Sequence, residues 1–189
     1  MQAQSLSGGF KDTPIDAAQA FRTLLQAMAR PGLILGLRGS APPDPLSISA
    51  GTALLTLCDP TTPVHLAGDC DTQPLRDWIG FHTGAPISTP EHADFAVGSW
   101  ADLQPLSAYR IGQPDYPDRS ATLLVECAAL SAEGAILTGP GIETSAQFAL
   151  PELAAFQANR ARYPLGLDFY FTAGDRIAGL PRTTIVEAS

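Results

Sequence analysis

The chain has 189 residues, 45% of them hydrophobic and 16% charged, which is typical of one compact globular domain. Its formal net charge of −8 excludes the basic surface with which a protein neutralises nucleic-acid phosphates. The N-terminus lacks the basic start and apolar run of a signal peptide, and no run of about 18 apolar residues could span a bilayer, so we expect a cytoplasmic protein.

Helices and short strands alternate along the first half of the chain. Residues 1–12 are expected to be a mobile segment ahead of a single domain, 13–189. Pro14 is a favourable first helical residue, and an apolar stripe follows it before a helix stop: Phe21, Leu24, Leu25, Met28 and Pro31-Gly32. The later patterns predict strands at 33–37, 63–66 and 93–97, helices at 47–59, 74–81 and 100–109, and a loop at 111–119.

The second half of the chain is richer in strands. The nearly continuous apolar run at 121–130 predicts a central strand covered on both faces, in which Glu126 must find an edge or a partner. After a turn at Glu133-Gly134, residues 135–138 return as another strand, and 151–162 form the final helix.

A β-hairpin is predicted near the C-terminus, at 167–172 and 176–180. Leu167, Phe169 and Phe171 alternate with polar residues and so require a buried face. Two hairpin-like pairs in the second half, with helices and strands in the first, predict an α/β fold with a mixed β-sheet flanked by helices.

Arg182 follows the hairpin directly, and its role depends on the length of the hairpin loop. A three-residue loop places it diagonal to Asp168, where a structural ion pair satisfies it. A two-residue loop places it opposite Leu167, so that its guanidinium needs another acceptor, such as an anionic ligand or a partner chain.

Two further places carry groups that could do chemistry. The turn Thr138-Gly139-Pro140-Gly141 could present backbone N–H groups to an anion, or it could be only a tight turn. His82 is the best-placed general acid or base, although a histidine at a helix C-terminus also simply stabilises the helix dipole.

Other chemistries are disfavoured by residue type and spacing. The three histidines lie 17 and 10 residues apart, which is no metal-binding pattern, and the three cysteines, odd in number, suit reduced thiols. Cys70 lies between two carboxylates, Asp69 and Asp71, that raise the pKa of a thiol. Lys11 is the only lysine, and its position in the N-terminal segment disfavours Schiff-base chemistry.

Six short blocks, taken in order, resemble the H subunit family of bacterial carbon–phosphorus lyase, PhnH. They contain Phe21-Arg22 through Pro31-Gly32, Leu54-Leu55-Thr56-Leu57 with Asp59, Phe81-His82-Thr83-Gly84-Ala85-Pro86, Leu137-Thr138-Gly139 with Gly141-Ile142, Pro164-Leu165-Gly166 with Asp168, and Pro181-Arg182-Thr183-Thr184. The resemblance runs from about residue 10 to the C-terminus.

The resemblance implies a subunit of the phosphonate-degrading core complex, together with G, I and J subunits. It implies a reduced version of the pyridoxal-phosphate-dependent transferase fold without the cofactor, and pairing as a homodimer when isolated. ATP is then a substrate of the complex, and this chain binds no cofactor. The radical cleavage step belongs to the J subunit, since this chain has no iron–sulfur cysteine cluster.

The resemblance does not bring an agreed catalytic set, so it implies only ligand-binding candidates. These are Arg30, His82, Thr138, Gly139, Gly141, Arg182, Thr183 and Thr184. Arg30 can also be a solvated helix end. We expect an accessory subunit, and two alternatives stay open: a protein or enzyme that binds a phosphonate or nucleotide through Arg182 and the Gly139 turn, and a self-contained ligand-binding dimer.

Overall fold

The computed structural model describes residues 6–189. The predicted mobile segment therefore lies partly outside the described residues, at 1–5. Its remainder runs beside the core, where Ala41 N–H donates to the Gly8 carbonyl at 2.8 Å and Trp78 Nε1–H donates to the Ser7 carbonyl at 2.9 Å.

The described chain has four helices and eleven strands. The helices are α1 (Thr13–Ala29), α2 (Ile48–Leu57), α3 (Gln73–Thr83) and α4 (Leu153–Arg160). The strands are β1 (Leu35–Gly36), β2 (Val64–Leu66), β3 (Phe95–Ser99), β4 (Ile111–Gln113), β5 (Tyr116–Ser120), β6 (Thr122–Glu126), β7 (Ala135–Thr138), β8 (Ala146–Phe148), β9 (Asp168–Ala173), β10 (Arg176–Leu180) and β11 (Ile185–Glu187).

A six-stranded sheet forms the centre of the molecule, in the order β1, β10, β9, β6, β3, β2. The last four strands in this order run parallel, whereas β10 is antiparallel to β9 and to β1. Two hydrophobic clusters cover its faces, one under α1, α2 and α3 and the other under α4. The predicted α/β fold with a mixed sheet flanked by helices is confirmed.

The central strand β6 explains why its sequence is apolar throughout. Leu124 lies in the cluster under α1 to α3, whereas Leu123 and Val125 lie in the cluster under α4, and all three are fully buried. A strand covered on both faces cannot alternate apolar and polar residues. Phe169 and Phe171 of β9 are also fully buried beside it, which confirms the predicted buried face of the hairpin.

Helix α1 is confirmed, but only part of the predicted apolar stripe is buried. Phe21 and Leu25 are 50% and 58% exposed, while Leu24 and Ala27 are buried. The helix lies very close to β10, because a Cβ on Gly179 would be 2.6 Å from the Ala27 carbonyl oxygen. Small residues such as Ala27 allow this approach. Of the predicted stripe, Leu24 and Met28 pack in the core, whereas Phe21 and Leu25 lie on the outer face.

Several predictions between residues 100 and 138 were wrong. Residues 100–109, predicted as a helix, form a turn and then a single 3₁₀ turn, Leu106–Ala108. Residues 111–119, predicted as a loop, contain most of the β4–β5 hairpin. Strand β7 does not pair with β6. It is the centre of a second sheet, in the order β11, β7, β8, whose outer strands were not predicted.

Candidate functional site

Arg182 lies just after β10, and its side chain is only 11% exposed. Its Nε and Nη2 donate to the two carboxylate oxygens of Asp168 at 3.1 and 2.5 Å, and its backbone N–H donates to the same carboxylate at 2.8 Å. Its guanidinium also donates to the Pro117 carbonyl at 2.7 Å and to the Ser120 hydroxyl. The predicted structural ion pair is confirmed, in the strong bidentate form. Ligand binding by Arg182 stays a prediction.

The loop between β9 and β10 has two residues, 174–175. For that length we expected Arg182 to face Leu167 and to need an acceptor other than Asp168, and this expectation was wrong. Strand β10 ends before Pro181, whose missing N–H stops the ladder, so the pairing register does not reach Arg182. Beyond Pro181 the chain leaves the sheet, and the Arg182 side chain contacts Asp168, the first residue of β9.

The glycine turn after β7 is packed tightly between two other segments. Gly141 has φ +83°, and a Cβ there would lie 1.9 Å from the Ala29 carbonyl oxygen at the end of α1. Gly139 has φ +123°, and a Cβ there would lie 3.3 Å from the Thr183 carbonyl oxygen. Arg30 caps the end of α1 and is exposed. Close packing therefore explains why both positions carry glycine.

Most of the predicted site residues come together at this place. Thr138 pairs with Ile185 in the small sheet, which aligns the glycine turn with the segment after β10. The set that the fold gathers here is Arg30, Thr138, Gly139, Gly141, Thr183 and Thr184. Arg182 belongs to the same segment, but its side chain is directed to the ion pair with Asp168. Their role in ligand binding stays a prediction.

His82 lies apart from this set, on α3 at the opposite face of the central sheet. Its Nε2 is 3.3 Å from the Ser7 carbonyl oxygen, and its ring packs edge-on against Trp78 and Phe81 at 5.1 and 4.9 Å between centroids. The helix ends one residue later and Gly84 caps it in a left-handed conformation. The structure therefore does not bring His82 together with the other candidates.

Two buried polar atoms in the described chain have no hydrogen-bond partner, Arg160 Nε and Thr184 Oγ1. Both residues line one small cavity of about 10 Å³ between α4 and the segment after β10. Thr184 is only 2% exposed. An unpartnered buried donor costs roughly 1–3 kcal/mol, so such groups are rare in native proteins. Sequence reasoning selected Thr184 through its block but missed Arg160, which no motif or spacing distinguishes from other helical arginines.

Glu126 lies in a strand that is paired on both sides, and of the two expected solutions, an edge or a partner, it has a partner. It is the last residue of β6, and its Oε1 accepts from the Ser47 N–H at the start of α2, at 2.9 Å. Burial raises the pKa of the Glu126 carboxyl above its ordinary value, and hydrogen bonds from Ser47 and Thr172 oppose this shift. The carboxylate is thus held at the carboxyl end of the parallel strands.

A pH-dependent stability follows from Glu126. Because its pKa is raised in the folded state, the stability that the neutral carboxyl gives is lost as pH rises through that pKa. We expect Glu126→Gln, which keeps the acceptor for Ser47, to raise the free energy of unfolding at pH 8, because it removes the cost of a buried charge. The difference is expected to vanish below pH 4. Denaturant unfolding at both pH values measures it, with the exposed Glu133→Gln as control. An equal gain at both values would contradict the assignment.

The cysteine thiols are poor nucleophiles. Burial is the first cause that raises the pKa of Cys70 to about 12, followed by the charges of Glu126, Asp102 and Asp69. The sequence predicted that Asp69 and Asp71 raise the pKa of this thiol. The larger cause, burial, was missed because the sequence does not show that Cys70 is buried. Burial likewise raises the pKa of Cys127 to about 11.

Residues 6–189 contain neither a metal-binding cluster nor a membrane-spanning helix. No three His, Cys, Asp or Glu side chains in this range are grouped so that they could hold a metal ion. No helix in the same range has the length and apolar character needed to cross a membrane. His65, in β2, forms a hydrogen bond with Tyr109, with 3.1 Å between its Nδ1 and the hydroxyl oxygen. Burial lowers the pKa of the His65 ring.

Comparison with known proteins gives a consistent result. The family model for the bacterial phosphonate metabolism protein (PhnH) matches residues 8–187. The chain is 40% identical over 197 residues to the alpha-D-ribose 1-methylphosphonate 5-triphosphate synthase subunit PhnH of Rhizobium meliloti (strain 1021), covering 98% of both. It is 27% identical over 172 residues to the putative C-P lyase subunit protein HtxG of Stutzerimonas stutzeri, covering 87% of this chain and 83% of that protein. The chain therefore belongs to the PhnH family of bacterial phosphonate metabolism proteins.

Proposed function

We propose that this protein is an accessory subunit of the carbon–phosphorus lyase core complex in organophosphonate catabolism. In this role it is needed to form ribose 1-phosphonate triphosphate from ATP and an alkylphosphonate. The observation that carries the proposal is the near full-length similarity to a relative named as a synthase subunit. The triphosphate in that relative's name supports ATP as the substrate of the complex.

The reactive groups of the chain support an accessory role. Arg182 is engaged by Asp168 and two further acceptors, and burial raises the pKa of the Cys70 thiol. Lys11, the one lysine of the sequence, is exposed, so no buried amine is available for a Schiff base. We further propose that the fold is a reduced pyridoxal-phosphate-dependent transferase fold that binds no cofactor. In this proposal the protein is cytoplasmic and pairs as a homodimer when isolated.

The G, I and J subunits are the proposed partners, and the outer face of α1 is the proposed docking face. We define this face by Ile15, Phe21 and Leu25, which are 55%, 50% and 58% exposed. The three residues fall within about 120° of the helix circumference at 3.6 residues per turn. Exposed apolar side chains gathered on one side of a helix are typical of a protein interface, and a subunit of a complex has a partner to cover them.

Co-purification tests the subunit role. A tagged chain is expressed with the G, I and J homologues, and we expect all three to be recovered with it. The double variant Phe21→Glu/Leu25→Glu is expected to reduce this recovery at least tenfold, because a charged residue at the centre of an apolar interface leaves its charge desolvated. The melting temperature of the isolated variant is expected to stay close to that of the wild type, since both positions are exposed.

The control for this experiment is Phe81→Glu, at an exposed position on α3. It introduces the same side chain away from the docking face, so recovery of the partners is expected to be unchanged. Failure of the wild-type chain to recover any partner, or catalytic turnover by the isolated protein alone, would overturn the accessory-subunit proposal.

A further inference from the structure

Arg160 and Thr184 share a cavity that opens toward the surface. The inner cavity is lined otherwise mainly by apolar side chains, among them Phe156, Phe169 and Leu180. Arg160 also lines an adjoining surface groove of about 280 Å³, together with Gln157, Ala161, Ile185 and Val186. Val186 is common to both spaces as well. The groove and the inner cavity therefore adjoin at Arg160 and Val186.

The chemistry of the two unpartnered atoms defines that atom. The Nε–H of an arginine can only donate a hydrogen bond, and the hydroxyl of Thr184 can donate a second one. The inner space of about 10 Å³ holds one water-sized atom. An oxygen that accepts from both groups would satisfy them, and an oxyanion provides such an oxygen.

The charge of Arg160 is available to such an oxyanion. No ion pair of Arg160 is found in the described part of the chain, whereas the nearby Arg182 is neutralised by Asp168. The Arg160 guanidinium also makes a cation–π contact with Tyr163, with 4.9 Å between its central carbon and the ring centroid. Its place in the last turn of α4 also offsets the negative end of the helix dipole, which would otherwise repel an anion.

The groove beyond the cavity is suited to an apolar substituent. Ile185 is 42% exposed and lines it beside Ala161 and Val186. The one polar side chain among the other groove residues, Gln157, donates from its Nε2 to the Val186 carbonyl at 3.0 Å. An ion with apolar surface on one side matches this lining better than inorganic phosphate, which is polar all round.

We propose that this groove binds a tetrahedral oxyanion with an apolar substituent, of the alkylphosphonate class. One oxygen lies between Arg160 Nε and Thr184 Oγ1, and the substituent lies against Ala161 and Ile185. The choice of a phosphonate rests on the proposed function, whereas the oxyanion site rests on the two unpartnered atoms.

Calorimetry on the full chain tests the site with methylphosphonate, propylphosphonate and inorganic phosphate as probes. We expect propylphosphonate to bind most tightly and phosphate most weakly. Thr184→Val, which removes the hydroxyl at nearly constant volume, is expected to weaken phosphonate binding roughly tenfold to hundredfold. Without ligand the same variant is expected to melt roughly 2–4 °C higher than the wild type, since the unpartnered hydroxyl is gone.

Two conservative variants and a control complete the test. Thr184→Ser keeps the hydroxyl and is expected to keep binding, and Arg160→Lys keeps the charge but loses the Nε–H and is expected to weaken it at least tenfold. Arg162→Lys is the control, because Arg162 is exposed and does not line the cavity. Its binding is expected to be unchanged.

Three results would overturn the site. These are absence of binding by the wild type, equal affinity for phosphate and propylphosphonate, and a crystal structure with methylphosphonate that shows only a water in the cavity. Each leaves co-purification with the partner subunits unaffected. Loss of co-purification, in turn, would contradict the accessory role and not the groove.

Discussion

Arg182→Ala is expected to lower the free energy of unfolding by about 3–4 kcal/mol. The substitution leaves the Asp168 carboxylate, whose side chain is 24% exposed, without its bidentate partner, and it frees the Pro117 carbonyl and the Ser120 hydroxyl. A carboxylate that stays largely buried without a counter-charge retains most of its desolvation penalty. Urea unfolding followed by circular dichroism measures the change.

Two variants separate this effect from the loss of any arginine. Arg176→Ala removes an exposed arginine in the adjacent strand, which donates only to the Ile34 carbonyl at 3.5 Å, and is expected to change the free energy of unfolding by less than about 0.5 kcal/mol. Arg182→Ala/Asp168→Ala removes both charges and is expected to recover part of the lost stability. A double variant less stable than Arg182→Ala would contradict the ion pair as the cause.

Gly141→Ala is expected to cost about 2–4 kcal/mol of folding free energy. The new Cβ would lie 1.9 Å from the Ala29 carbonyl oxygen, a distance at which the backbone must move, and φ +83° is strained for any residue with a Cβ. The atom in the way is a backbone oxygen, which cannot be moved by a side-chain rotation. Thermal and urea unfolding measure the loss.

Gly174→Ala is the matched control for the backbone conformation. Gly174 also has a positive φ, +55°, but a Cβ there meets no atom within 4 Å. It is therefore expected to cost only about 1 kcal/mol, which reports the conformational strain without the clash. Equal losses at the two glycines would show that α1 and the glycine turn are not packed as the structure has them.

The elements that sequence reasoning found are those with a strong local signal. Helix α1 has Pro14 in its first turn and ends before Pro31-Gly32, and the β9–β10 hairpin has regular alternation and a glycine in its loop. Local patterns did not show which side of helix α1 packs against the central sheet. The buried face of α1 is set by its close approach to Gly179, and no periodicity within residues 13–29 contains that information.

Strand partners were also outside the reach of local patterns. The turn at Glu133-Gly134 suggested that β7 returns beside β6, but β6 is flanked by β3 and β9, so β7 pairs with β8 and β11 instead. The β4–β5 hairpin was missed because Pro114 and Pro117 are typical of loops. Here they occur in an irregular two-stranded ribbon with a register shift, where fewer backbone donors are needed.

The candidate site was predictable to the extent that its residues lie in family blocks. Those blocks selected Thr138, Gly139 and Thr183, which the fold brings together. They also selected His82, which lies on the other face of the sheet, and missed Arg160. An unpartnered buried atom is a property of the packed chain, so only three-dimensional structure reveals it.

The pairing of β1 with β10 has a consequence for biosynthesis. Leu35 near the start of the chain pairs with Ile177 near its end, and Ala27 packs onto Gly179 of the same late strand. As the ribosome makes the chain, α1 is synthesised about 145 residues before β10, so one of its two main packing partners is missing during that interval. Helix α2 also packs on α1, so only the face of α1 toward β10 stays open in the nascent polypeptide until that strand is made.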